Sequence, residues 1–202
     1  LKLSAHFRFS VQTATALFLA LSGIIIPAIS SPFGAPLSLD FIEWYGFFPF
    51  AIGLSTLWIV FTMNAMNWLD GSPGIVSGVS AIAFLVIHLL SGLKDIHVID
   101  QGPVLIITTV LGASCLTFCC FDFPKPRLLM GDSGTMFLGM MIAVMGIFSG
   151  AKLATVFIVL GIPLLDAVWT IGKRLLQRKS PFKGDFQHLH HDLLRAGLSQ
   201  RF

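Results

Sequence analysis

Charge is what this sequence has least of. Of its 202 residues only 11% are Asp, Glu, Lys or Arg, against about 25% in an ordinary soluble domain. So few charges cannot cover a globular surface in water, and most of this surface is expected to face lipid. The net charge of +3 is too small to hold nucleic acid, and no nucleic-acid partner is expected. Cysteine is scarce and poorly placed for cross-linking. Cys115, Cys119 and Cys120 share one apolar stretch. Their odd number and spacing exclude a disulfide framework or a metal knuckle, and they read as packing or lipid-facing thiols. Internal repeats and low-complexity tracts are also missing.

What is present is a series of long apolar runs. A bilayer-spanning helix needs about 20 residues, with a range of roughly 17–25. Six stretches read as spans: Phe9–Ile29, Phe47–Met63, Gly74–Gly92, Gly102–Phe121, Thr135–Ser149 and Leu153–Ile171. The expected fold is an all-α integral membrane protein of about six transmembrane helices, a single polytopic domain over residues 1–202. A secretory leader competes for the first run, because Lys2 and Arg8 precede it and Ala28-Ile29-Ser30 has a small-x-small pattern.

The connecting segments differ sharply in charge. If all six stretches cross, Leu1–Arg8, Thr62–Pro73, Asp122–Gly134 and Gly172–Phe202 share one side. That side holds all thirteen Lys and Arg residues except Lys94 and Lys152. The opposite side carries Asp40, Glu43, Asp95 and Asp100. Cationic loops stay in the cytoplasm, so the first side, both chain ends and the basic, histidine-bearing segment 172–202 are placed there. The location expected is a plasma or inner membrane.

Polar residues that solubility does not explain gather on that cytoplasmic side. Asn64, Asn67 and Asp70 recur every third residue and would share a helix face. Two amides and a carboxylate suit a hydrated metal, a sugar or a base; capping of a helix end is the plainer alternative. Met130-Gly131-Asp132-Ser133-Gly134-Thr135 precedes the fifth span. Its glycines allow close ligand approach, the following helix start suits phosphate, and Asp132 suits Mg2+. The alternative is that Asp132, Ser133 or Thr135 caps that helix. His188, His190 and His191 lie in a basic tail where imidazoles handle anions or protons. Zinc is disfavoured there by the spacing and by the lack of nearby thiolates. Asp166 falls inside the sixth span, where an ionisable group is costly and a functional candidate.

Taken in order, Asn64–Gly71, Met130–Thr135, Pro163-Leu164-Leu165-Asp166, Ser180–His191 and Gly197–Arg201 resemble the polyprenyl-phosphate N-acetylhexosamine-1-phosphate transferases, glycosyltransferase family 4. The tail is most similar to the GlcNAc-1-phosphate branch. The resemblance implies transfer of N-acetylhexosamine-1-phosphate from a UDP-sugar to a polyprenyl phosphate such as undecaprenyl phosphate, with release of UMP, in cell-envelope glycan synthesis. It implies Mg2+, with Mn2+ as a substitute, held by Asp132 and Asp70. Catalytic roles would fall to Asp70, Asp132 and His188, and substrate contacts to Asn64, Asn67, His190, His191 and Asp166. The partners implied are the UDP-N-acetylhexosamine, the polyprenyl phosphate and the bilayer. The sequence is compatible with a homodimer.

Two departures from the family pattern stand out. The family reads Asp-Gly-x-Asp-Gly where this chain has Asp70-Gly71-Ser72-Pro73-Gly74, so Pro73 replaces a second acidic residue. The family's early Asp-Asp pair would lie upstream of Leu1. The chain is therefore expected to be the C-terminal part of a larger transferase, inactive in isolation. A non-catalytic relative that binds lipid phosphate or nucleotide-sugar is the alternative, supported by Pro73. A small transporter is a weaker one, since its polar residues belong near the midplane.

Overall fold

The computed structural model describes residues 4–29, 37–39, 43, 46–71, 73–93, 99–149, 161, 168, 169 and 172. Five helices dominate them: α1 (Ala5–Leu21), α2 (Pro49–Trp68), α3 (Ile75–Ser91), α4 (Gly102–Asp122) and α5 (Gly131–Phe148). Asp166, His188, His190, His191 and most of the sixth apolar run lie outside the described residues. Three of the helices, α2, α4 and α5, are long and apolar enough to cross a membrane, and α3 is a shorter apolar helix.

Local chemistry explains the helix limits. Ser4 caps α1 by accepting a hydrogen bond from the Phe7 N–H at 3.2 Å. The expected first span ran to Ile29, but α1 ends at Leu21. Gly23 turns the chain with φ +96°, and the Ile24 N–H closes back on Leu19 O at 3.1 Å. The chain then leaves as a short strand, β1 (Ala28–Ile29), paired antiparallel with β2 (Leu37–Ser38). This small ladder is the one departure from an all-helical fold among the described residues. Ser55 of α2 secures the approach to it, its Oγ accepting from the Ile26 N–H at 2.8 Å.

In contrast, α2 outlasts its apolar run. Asn64 and Asn67 lower the hydropathy without breaking the helix, which continues to Trp68. At the next junction α5 starts at Gly131, with Met130 at its cap position and no side-chain cap. Asp132 therefore sits within the first turn, and the capping alternative for Asp132, Ser133 or Thr135 does not hold.

The principal packed pairs are α3 with α4, α2 with α5, and α1 with α2. Small and hydroxyl residues line these interfaces. Ser55, Thr62, Ser77, Ser80, Thr108 and Thr135 are buried, while Phe18, Leu57, Leu85, Leu89, Ile106 and Leu116 point outward. Several of these hydroxyls satisfy themselves on the preceding helical turn, as Thr62 Oγ1 does on Trp58 O at 2.9 Å and Thr108 Oγ1 on Val104 O at 2.7 Å, whereas Ser80 Oγ has no partner among the described residues. Large apolar groups outside and small or polar groups between helices is the arrangement lipid favours, because lipid supplies no hydrophobic drive to bury leucine. A close backbone approach occurs at Gly139 of α5. A Cβ there would lie 2.8 Å from both Met63 Cα and Thr62 O of α2, so the two backbones are in direct contact.

Candidate active site

One end of the bundle gathers the starts of α1, α3 and α5 and the ends of α2 and α4. The polar residues singled out in the sequence meet here. Asn67, on the last turn of α2, donates from Nδ2 to Thr135 Oγ1 at 2.9 Å and to Asp132 Oδ1 at 3.3 Å. Thr135 Oγ1 in turn donates to the Asp132 carbonyl at 3.1 Å. Asp132 lies at the positive end of the α5 dipole, where a carboxylate is favoured. Its other oxygen pairs with Arg8 of α1, the one salt bridge among the described residues.

A second layer lies one helical turn deeper. Asn64 Nδ2 donates to Gln12 Oε1 at 2.8 Å, and Gln12 Nε2 reaches Met136 Sδ at 3.1 Å. The pairs Arg8–Asp132 and Gln12–Met136 have the same offset of 124 residues. Long side chains thus tie α1 and α5 in matched register, running in the same direction. Gln12 is buried, and an unpartnered amide there would be costly, so this layer also orients Asn64.

Asp70 follows in the turn after α2. Its side chain reaches solvent but has protein packed on one side. Burial, then the charges of Asp122 and Asp132, raise its carboxyl above the ordinary 3.8. As pH rises past 3.8, the unfolded chain releases this proton before the folded chain does. Stability therefore falls across the interval up to Asp70's raised value and stays lower above it. Asp70→Asn is expected to raise the neutral-pH Tm of the metal-free protein by about 1–3 °C. The gain should fade as the pH falls below the ordinary value of 3.8. Differential scanning fluorimetry in chelator checks this, and an unchanged or lower Tm would contradict the repulsion.

Three site residues escaped the sequence reading besides Thr135: Arg8, Gln12 and Asp122. Arg8 and Gln12 were legible as polar groups four apart at the start of an apolar helix, hence on one face. Asp122 carried a different signal. An acid in the last turn of a helix opposes the dipole and so needs a donor from elsewhere. That donor is the Gly74 N–H, 2.8 Å from Asp122 Oδ2, helped by Ser77 Oγ at 3.4 Å.

The residues present suit a hard divalent cation. The charges of Asp122 and Asp132 both bear on Asp70, and the described residues hold no compact cage of three acidic, histidine or cysteine ligands. Magnesium takes one or two carboxylates and completes its shell with water and phosphate, so a sparse carboxylate set fits it better than zinc.

Comparison with known proteins gives the family. The sequence model described as glycosyl transferase family 4 matches residues 1–150. A probable undecaprenyl-phosphate N-acetylglucosaminyl 1-phosphate transferase of Bacillus subtilis (strain 168) is 32% identical over 99% of this chain and 54% of its own length. A decaprenyl-phosphate N-acetylglucosaminephosphotransferase of Mycobacterium tuberculosis (strain ATCC 25618 / H37Rv) is 33% identical over 69% of this chain and 39% of its own. The undecaprenyl-phosphate alpha-N-acetylglucosaminyl 1-phosphate transferase of Escherichia coli O157:H7 is 26% identical over 98% of this chain and 54% of its own. The chain spans about half the length of most of the curated relatives it matches. With the matched region covering α1 to α5 and every described polar residue of the site, the chain belongs to glycosyl transferase family 4.

Proposed function

We propose that this chain carries the active face of a transferase that moves N-acetylhexosamine-1-phosphate, GlcNAc-1-phosphate first among them, from a UDP-sugar to undecaprenyl phosphate. The observation that carries the reading is the convergence of Asn67 and Arg8 on Asp132 at one end of an apolar bundle. A lipid phosphate anchored in the bilayer and a soluble nucleotide-sugar can meet only at such an end, and the excess of Lys and Arg in its loops supports a cytoplasmic position for it.

In the reaction, an oxygen of the lipid phosphate attacks the sugar-linked phosphorus of the UDP-sugar. The bond from that phosphorus to the bridging oxygen breaks, UMP leaves with the oxygen, and a polyprenyl-diphosphate-sugar remains. Phosphoryl transfer depends chiefly on alignment and on neutralising charge. Asp132 and Asp70 would hold Mg2+, which when bound offsets the charge of the diphosphate. Asn67 keeps the Asp132 carboxylate fixed, and Thr135 orients the Asn67 amide. Arg8 holds Asp132 while no substrate is present and offers a guanidinium to phosphate once it is. His188, His190 and His191 are proposed to contact the nucleotide-sugar, and Asp166 to complete the substrate site from the sixth span.

The test is UMP release by the full-length protein from UDP-GlcNAc and undecaprenyl phosphate. Chelator should reduce turnover more than about 10²-fold, and added Mg2+ should restore it. Equal turnover in chelator removes the metal from this reading, and silence with every UDP-sugar removes the reaction. Pro73 favours the second reading, a non-catalytic binder, which would retain UDP-GlcNAc in equilibrium dialysis without releasing UMP.

A further inference from the structure

We infer that Asp122 supplies, from the end of α4, the second carboxylate that the turn between α2 and α3 lacks at Pro73. The inference rests on the transferase reading for its activity assay but not for its binding assay. Proline at position 73 brings no charge and no N–H, and the next residue, Gly74, occupies the cap position of α3. Asp122, 48 residues away in sequence, takes the Gly74 N–H on Oδ2. Ser77 Oγ meets the same oxygen, while Oδ1 accepts no hydrogen bond among the described residues.

The placement is built rather than incidental. Gly74 adopts φ +77°, and a Cβ there would lie 2.8 Å from Phe123 Cβ. The turn and the residue next to Asp122 are thus in contact, and the carboxylate is held at Gly74, the residue after Pro73. Asp122 is disfavoured by the dipole of α4 but favoured by that of α3, whose start has no side-chain cap of its own. Its charge acts on Asp70 together with that of Asp132. Two acidic groups flank the turn, as in an Asp-x-x-Asp segment, but they come from different helices. Together they would present negative charge to a divalent cation bound at this end of the bundle.

A structural cap and a working charge predict different results for Asp122→Asn. Asparagine can still accept from the Gly74 N–H, so the cap survives and only the charge is lost. The experiment compares the full-length wild type with Asp122→Asn, Pro73→Asp and the combined exchange. Mn2+ binding is followed by electron paramagnetic resonance, UMP release by a coupled assay, and Tm by fluorimetry. Asp122→Asn is expected to weaken Mn2+ binding about tenfold or more at nearly unchanged Tm. The combined exchange should recover affinity to within about threefold and restore UMP release, because the charge returns on the other side of the turn. Wild-type Mn2+ affinity in Asp122→Asn overturns the inference, and so does a loss that the exchange fails to recover. A protein whose Mn2+ binding follows the exchange but which releases no UMP would keep this inference and remove the transferase reading. Full turnover with all variants equal would do the reverse.

Discussion

Asp132→Asn is expected to cut sugar-phosphate transfer about 10²–10³-fold, or roughly 3–4 kcal/mol of transition-state stabilisation, while the protein accumulates and melts like the wild type. The two effects separate because of where Asp132 sits. Its ion pair with Arg8 leaves the two side chains 38% and 56% exposed, and a pair so open to solvent contributes at most about 1 kcal/mol to folding. Asparagine also keeps the shape and an acceptor for Asn67, so the local packing has no reason to change. What is lost is a formal charge at the start of α5, where a divalent cation and a diphosphate would need it. Initial rates of UMP release, with Tm and membrane yield as controls, decide the matter. More than a tenth of wild-type activity in Asp132→Asn would take this carboxylate out of the chemistry. Arg8→Gln is a useful companion, because it frees Asp132 without touching its charge.

Gly139→Leu should lower stability by about 2–3 kcal/mol, a fall in Tm on the order of 5–10 °C, and should also impair the correctly inserted fraction. A Cβ at this position meets backbone atoms of Met63 and Thr62 at 2.8 Å, not a side chain that can swing away. Helices α2 and α5 must therefore move apart. Met63 lies one turn before Asn67, and Gly139 one turn after Thr135, so the gap opens beside the Asn67–Thr135 hydrogen bond of 2.9 Å. Gly139→Ala has a smaller effect, since the same collision is partly offset by the roughly 1 kcal/mol that alanine gains over glycine in a helix. Gly78 in α3 provides the contrast: a Cβ there meets nothing within 4 Å, and Gly78→Ala should be neutral or stabilising. Thermal denaturation of the three variants in one detergent makes the comparison. Equal Tm values for Gly139→Leu and Gly78→Ala would show that the α2–α5 contact is not close-packed.

Much of the architecture was legible in the order of residues. Apolar runs of bilayer length have little choice but helix, since lipid offers no partner for a free backbone amide. Their alternation puts the end of α2, the end of α4 and the start of α5 together, and so brings Asn64, Asn67, Asp70 and Asp132 to one end before any contact is known. Hydropathy was a poorer guide to helix limits. It carried the first span through Ile24–Ile26, where Gly23 had already ended α1, and it stopped the second at Met63, although Asn64 and Asn67 continue the helix.

Hydropathy sets the depth of a residue along a helix, but says nothing about rotation around the axis or which helix lies alongside. Those depend on close packing, such as the backbone contact at Gly139, and they turned Asn67 onto Asp132 and Thr135. The same packing set α1 in register with α5, which made Arg8 and Gln12 part of the site. It also carried Asp122, an acid at the wrong end of its own helix, to the start of α3 beside Pro73. Composition and order thus settled the helical class, the family and the end of the bundle where the polar residues gather. The partners of each carboxylate were settled by folding, because they sit on different helices and meet only when those helices pack.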